Sequence, residues 1–501
     1  MNLIGLDIGT TNCKAVIFDS NARVAGQASC EYDVVCDAPG KAEQDAEVVW
    51  STARRVLAEA ISRSGIKEAG ALSVSVQGDA IIPVDGQFRA LHPAILGMDC
   101  RSHSQAERCA NLFGAFELFQ RTGMRPHAMN SLTKVLLLRE IAPKSFKSAA
   151  KIVTYGEFIL RKLGGEPLID YTMASRTMAF DLHKTAWDSA LLDQLDLSSD
   201  LWCQAVPSGT VAGQLDKELA SEFRLSGRTL LITGGHDQTC AAVGSGAIQE
   251  GIGVISTGTA EVLASAIEQP RLSRLMFDSH YPCYYHVRQG QYFTFSLNHT
   301  AGLLLRWWRD NFGQEEVRLA AEVGSTAYAL MDKRMPEAPS PVMILPHFNG
   351  SGTPDCDLRS KGAIVGLTLA TNRHDIFKAI LESLCFELRI NTERMAACGI
   401  AMGELRAAGG GAGSSRWLQL KADILQRPLR PLRCKEAACL GAALIAGVGA
   451  GHWSNLEEAA TTAVALSEEC VPRPDYAAAY AERFDAYRRL YPALRDFNHQ
   501  T

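Results

Sequence analysis

Asp7 lies in LIGLDIGTTN and Asp237 in LLITGGHDQTCAAVGSG, each near the end of an apolar run and beside a turn of small polar residues. A carboxylate at the end of a rigid strand can take a proton from a hydroxyl or face a hard cation. It can equally bond its own turn or, for Asp237, cap the helix that TCAAVGSG predicts. Two further turns supply donors without charge: Ser256 to Thr259 in GIGVISTGTAEVLAS, and the glycine bend GGGAGS at 409–414. Hydroxyls and free peptide N–H groups at strand ends suit phosphate oxygens. None of the four turns has the GxxxxGK[ST] pattern or the GxGxxG spacing, so the common nucleotide loops are absent. Taken singly each turn reads as structure, and taken together they favour a nucleotide cleft.

The elements that carry these turns follow from periodicity. LIGLDIG, NCKAVIFD and RVAGQASCEY predict a three-strand antiparallel meander, with Gly9 supplying backbone freedom at the first turn. DAEVVWSTARRVLAEAI (45–61) places Val48, Val49, Val56, Leu57, Ala60 and Ile61 on one helical face behind an Asp45 cap, and ALSVSVQG (71–78) returns to a strand. Strands, helix and strand in that order imply a mixed sheet under helices. Near position 251 the design recurs, and LRAAGGGAGSSRWLQLKADIL (405–425) adds a strand, a glycine bend and a helix with Trp417, Leu418, Leu420 and Ile424 apolar. Two domains of related construction, 1–247 and 248–501, are therefore expected across a cleft. AACLGAALIAGVGAG (437–451) is too short and glycine-rich to span a bilayer and predicts a packed helix. In the last helix Tyr476, Tyr480, Phe484 and Tyr487 read as core-facing aromatics.

Composition narrows the function classes. A chain of 501 residues, 47% apolar and 21% charged, is long enough for two large cores. A net charge of −5 argues against a nucleic-acid partner while leaving small anions open. The start MNLIGLDIG has no basic lead and reads as a buried strand instead of a signal peptide. Fourteen cysteines are scattered without a CxxC pair, which points to a reducing cytoplasm and to neither a zinc cluster nor a disulfide framework. His103, His236, His299 and His347 have no metal-ligand spacing, and Ser256 and Ser415 lack a Ser/His/Asp context.

Over nearly its whole length the chain resembles the FGGY family of carbohydrate kinases, within the superfamily of actin, hexokinase and Hsp70-like ATPases. Asp7, Gly9, Thr10 and Thr11 match the family's DxGTT phosphate hairpin, and NSLTKVLLLRE, with Lys134, matches its first signature. GAIVGLTLATNRHDIFKAILESLCFE (362–387), with Gly362, Gly366, Asp375, Ala379 and Glu382, matches the second, and GGGAGSSRW resembles its adenosine motif. The resemblance implies an α/β fold of two actin-like, ribonuclease H-like domains, each a mixed five-stranded sheet flanked by helices, around a central cleft. It implies a sugar-binding and phosphate domain over 1–247 and a nucleotide-binding domain over 248–501.

The same resemblance assigns roles. Asp237 is the general base, and Asp7, with Asp237, faces Mg²⁺ directly or through water, with ATP as donor. Gly9, Thr10 and Thr11 meet phosphate, as do Thr257, Gly258 and Thr259, while Gly410, Gly411, Ala412 and Ser415 meet the nucleotide. Gln77 and Gly78 in SVQGD, Asp99 and Arg101 in GMDCRS, and His236 line the acceptor. QGDA stands where xylulokinases have QMHG, Leu96, Gly97 and Met98 replace the expected tryptophan approach, and YTMASRTMAFDLHKTAWD (171–188) is similar to glycerol kinases. The acceptor expected is a ketose, chiefly a pentulose such as D-xylulose. Glycerol or another polyol, an actin-like ATPase and a catalytically silent sugar-binding regulator are the alternatives. The partners expected are a small sugar, no nucleic acid and no membrane, for a cytoplasmic monomer or homodimer.

Overall fold

The computed structural model describes residues 1–500. Strands β1 (Leu3–Ile8), β2 (Asn12–Phe18) and β3 (Val24–Glu31) form the antiparallel meander. Helix α1 (Ala46–Ser64) follows, its first N–H groups capped by the Asp45 carboxylate, and it ends at Gly65 in the left-handed region. Its inward stripe is Val49, Ala53, Val56, Leu57, Ala60 and Ile61. Val48, expected on that face, is exposed, because a stripe that includes residues 49, 53, 56 and 60 turns residue 48 a further 100° away. Strand β4 (Ala71–Val76) lies parallel to β1. After it come α2 (Ser131–Ile141), α3 (Tyr171–Arg176), β5 (Val211–Gln214), β6 (Leu230–His236) and α4 (Asp237–Gly244).

The second half begins with β7 (Ile252–Thr257), β8 (Glu261–Ile267), β9 (Tyr284–Tyr285) and β10 (Tyr292–Asn298). Helix α5 (Arg373–Ala397), β11 (Glu404–Gly409), α6 (Ser415–Leu425), β12 (Leu429–Pro431), α7 (Ala437–Gly449) and α8 (Pro474–Tyr487) complete it.

The two sheets run β5-β6-β4-β1-β2-β3 and β9-β10-β8-β7-β11-β12. Each holds the expected five strands in one shared order, β3-β2-β1-β4-β6 in the first and β10-β8-β7-β11-β12 in the second, with the same sequence of antiparallel and parallel pairings. Each also has a sixth strand beyond the five anticipated, β5 on one outer edge and β9 on the opposite one. Matching topology in both halves makes the recurrence near residue 251 structural and not merely a likeness of two turns.

Helix α7 is buried along most of its length, as its composition predicted, but it packs on β1, β4 and β6 of the first sheet. There it crosses α4 so closely that a Cβ on Gly244 would fall 1.9 Å from the Ala437 carbonyl oxygen, and one on Gly441 1.8 Å from that of Cys240. Leu3, Val16, Phe18, Ala71 and Ile232 of the first sheet share one apolar cluster with Leu440, Ala443 and Leu444 of α7. In α8, Tyr480, Phe484 and Tyr487 are core residues and Tyr476 packs beside them. No helix among the described residues is long and apolar enough to cross a membrane.

The glycine crossing gives a stability expectation. Gly441→Ala forces two backbones apart and should lower unfolding free energy by about 1–3 kcal/mol in urea denaturation. Gly413→Ala, where a Cβ meets open space, should stay within about 0.5 kcal/mol of the parent.

Candidate active site

The turn between β1 and β2 is held by side chains from elsewhere. Gly9 N–H donates to the Asn12 carbonyl at 2.9 Å, and the Tyr32 hydroxyl stands 2.6 Å and 2.8 Å from the Gly9 and Asn12 carbonyls. Gln44 donates to the Thr10 carbonyl, while Gln77 donates to the Gly9 carbonyl and accepts from the Thr10 hydroxyl. Gln77, expected at the acceptor, thus braces the β1–β2 hairpin. Gly9 does not use its backbone freedom to enter the left-handed region; a Cβ there would stand 3.1 Å from the Asn12 carbonyl, so close approach is what suits glycine.

Asp7 accepts from the Ser75 hydroxyl at 2.7 Å. Burial pushes its carboxyl up to about 6, against the opposing effects of Ser75 and Lys14. Lys14, opposite Asp7 in the β1–β2 register, pairs at 2.5 Å with Glu436, the residue immediately before α7. Asp237 opens α4 at the end of β6, where burial and then the charge of Asp7 raise its carboxyl to about 7. About 30% of its side-chain surface stays open, so water in the cleft moderates that rise. His236 Nε2 is 3.1 Å from Asp237 Oδ1 without the alignment of a hydrogen bond, which leaves that oxygen unpartnered. The imidazole is held neutral by burial, then by Arg176, and its Nδ1 stands 2.9 Å from the Tyr284 hydroxyl.

Beside Asp237, sequence reasoning passed over a buried pair. Arg176, the last residue of α3, forms an ion pair with Asp79, and both side chains are nearly inaccessible. The guanidinium lies 5.1 Å from the Tyr284 ring centre and 5.5 Å from that of Phe295. Gly78 permits the arrangement: a Cβ there would stand 2.8 Å from both Arg176 Nε and His236 Nε2. The signal was in plain view, since Asp79 directly follows the SVQG stretch and Arg176 lies in YTMASRT. Lys134 is fully buried and donates to the Met129 carbonyl; burial lowers its ammonium to about 8, with Asp79 and Asp99 opposing.

Other expected residues come together differently. Asp99 and Arg101 form an ion pair; Asp99 also accepts from the Ala42 N–H at 2.8 Å, and Arg101 reaches Glu43 at 2.6 Å. At the second hairpin the Thr257 hydroxyl is turned inward, bonded to Glu261 at 2.6 Å and accepting from Lys421 at 2.7 Å, while Gly258 and Thr259 are exposed at the tip. Gly409 takes φ 80°, and a Cβ on Gly411 would stand 2.6 Å from Thr257 Cβ and 2.9 Å from the Trp417 ring. Gly411 therefore faces the hairpin, whereas Gly410 and Gly413 border open space. Ser414 caps α6, leaving Ser415 exposed at its first turn. Glu382 accepts from the Ser340 N–H and from the Tyr480 hydroxyl, so this signature residue ties α5 to α8.

The chain and its fold also match known proteins. Residues 2–244 match the model of the FGGY family of carbohydrate kinases, N-terminal domain, and residues 253–450 that of its C-terminal domain. A xylulose kinase of Bacillus subtilis is 26% identical over 99% of this chain and 98% of its own. A glycerol kinase of Trichlorobacter lovleyi is 30% identical over 91% of each. The crystal structure of a xylulose kinase from Rhodospirillum rubrum superposes with a TM-score of 0.87 at 25% identity, covering all of both chains.

The Asp7–Asp237 coupling is measurable without a substrate. Carboxyl-carbon NMR should show Asp237 titrating near 7, and Asp7→Asn should move that titration downward, because a neutral neighbour no longer opposes the second negative charge. An Asp237 titration near 4 in the parent, or one unmoved by Asp7→Asn, would contradict the coupling.

Proposed function

The chain belongs to the FGGY family of carbohydrate kinases, which are ATP-dependent phosphotransferases, and from that premise we propose that it phosphorylates a hydroxyl of a ketose, chiefly a pentulose such as D-xylulose. The observation that carries this reading is the unpartnered oxygen of Asp237 at the end of β6, on a carboxyl raised to about 7. Ionised, it accepts the proton of the attacking hydroxyl; near neutral pH it is poised between the two states such a base needs. The chain as a whole would place acceptor and phosphates on residues 1–247 and nucleotide on 248–501.

In this reading the first hairpin, through Gly9, Thr10 and Thr11, and the tip of the second, through Gly258 and Thr259, hold the triphosphate from two sides. Thr257 supports the second hairpin from within, and Gly410, Gly411, Ala412 and Ser415 form the adenosine bend. Gly78 and His236 line the acceptor, Gln77 sets the hairpin beside it, and Asp99 with Arg101 fixes the neighbouring loop. Asp7 and Asp237 fit Mg²⁺: they are oxygen donors in electrostatic contact, one of them with an unpartnered oxygen. When bound, Mg²⁺ offsets the negative charge of the triphosphate. A protein with this activity is at home in the cytoplasm, as monomer or homodimer. A polyol such as glycerol is the second reading, favoured by the glycerol kinase relative and by the YTMASRTMAF segment around Arg176.

ADP release measured across ketoses, polyols and no acceptor tests the proposal. Ketose-dependent release is expected, and Asp237→Asn should lower it by about 10²- to 10⁴-fold while ATP binding persists. Equal release without acceptor would mark an ATPase, and tight sugar binding without turnover a regulator.

A further inference from the structure

Outside the candidate site, a cavity of about 340 Å³ opens between the two halves of the chain. Its walls include Tyr171, Thr185 and Ser208 from the first half and Tyr285, His286 and Tyr292 from the second. That volume, with aromatic walls and a few polar groups, is the usual form of a small-molecule pocket. The hydrogen-bonding state of those polar groups is fixed by their neighbours. His286 Nδ1 accepts from the Arg288 N–H at 2.9 Å, and burial holds the imidazole neutral, so its one proton sits on Nε2. His286 is 3% exposed and Nε2 has no partner in the chain, which leaves a buried donor without an acceptor. The Tyr285 hydroxyl gives its proton to the Leu182 carbonyl at 2.8 Å, so the Thr185 hydroxyl, 2.7 Å away, donates to it. Thr185 Oγ1 therefore keeps lone pairs for a further donor. Thr185 also takes φ 54°, a left-handed conformation costly for a β-branched residue and of the kind retained at binding sites.

We propose that this cavity is a second small-molecule site, for a neutral ring sugar that lays one face on the tyrosines, accepts from His286 Nε2 and donates to Thr185. No charged side chain lines the cavity. Neighbouring Arg288 is paired with Glu457, and an Asp170 carboxyl oxygen lies 3.5 Å from Ser208 Oγ, so a phosphate ester or sugar acid meets repulsion with no free cation to offset it. Tyr285 stacks on Tyr292 with 5.0 Å between ring centres and meets Tyr171 at 5.4 Å. A sugar ring has a C–H face for such rings and hydroxyls at its rim for His286 and Thr185. The position also ties the cavity to the candidate site. Thr172, next to Tyr171, accepts from the His236 N–H at 2.8 Å, and Tyr284, next to Tyr285, has its hydroxyl 2.9 Å from His236 Nδ1. A sugar bound here touches both elements that hold the residue before Asp237.

Nitrogen NMR on the full chain with labelled histidine tests this. The probes are methyl β-D-xylopyranoside and methyl β-D-glucopyranoside, whose rings cannot open, with adenosine and D-glucose 6-phosphate for comparison. His286 should be the Nε2–H tautomer, and a pyranoside should shift its Nε2 resonance saturably. Tyr171→Ala removes a stacking face and should weaken that binding by about three- to tenfold. Ser208→Leu, which fills the cavity, should abolish it. An Nδ1–H tautomer overturns the proposal, as does a His286 signal that no pyranoside moves, which assigns the buried donor to water. Tighter binding of adenosine or of the phosphate ester overturns it too, as does a shift confined to His236, which would put the sugar at the candidate site. Pyranoside binding unchanged in both folded variants has the same consequence. Should the variants fail to fold, the tautomer and the probe series on the parent chain decide alone.

Discussion

The backbone contact between α4 and α7 is the constraint from which the rest of the molecule follows. Two glycines, Gly244 and Gly441, let the helices touch main chain to main chain. One helix begins with Asp237, and the other begins immediately after Glu436, the partner of Lys14. The crossing therefore fixes α7, and the Glu436 that precedes it, against the first sheet. A methyl group at either position would push the two backbones apart and shift Asp237 relative to the first sheet.

Asp7 and Asp237 are both raised above their ordinary range, so their ionised forms are disfavoured in the folded chain. By linkage this contributes stability below the unfolded carboxylate range that is lost as pH rises through about 6 to 7. A core chosen for stability alone would not keep two coupled carboxylates and an under-partnered arginine at one set of strand ends. The arrangement leaves buried polar atoms at the strand ends without partners within the chain.

Much of this was legible in the residues. The meander, the recurrence near 251, the Asp45 cap and the apolar helix at 437–451 all rest on local pattern, and local pattern held. The residues that read differently depend on partners far along the chain. Thr257 turns inward because Lys421, 164 positions away, reaches it; Asp79 meets Arg176 across 97 positions, and Lys14 meets Glu436 across 422. Gly411, assigned to the nucleotide by the resemblance of its motif, has the Thr257 side chain as its close neighbour, a contact that no local pattern announces. Val48 was lost to a simpler cause, one residue of helical phase at the margin of a stripe.

Helix α7 also bears on how the chain is made. The first sheet is complete in strands by His236, but the face formed by Leu3, Val16, Phe18, Ala71 and Ile232 is covered by residues of α7. At a synthesis rate of about 5–20 residues per second, roughly ten to forty seconds separate the appearance of the last strand from that of its cover. During that interval the nascent first half presents an unshielded apolar surface to whatever lies near the ribosome exit. The final compaction of the first half must then wait for a segment about 200 residues further along the chain, so folding cannot proceed strictly in chain order.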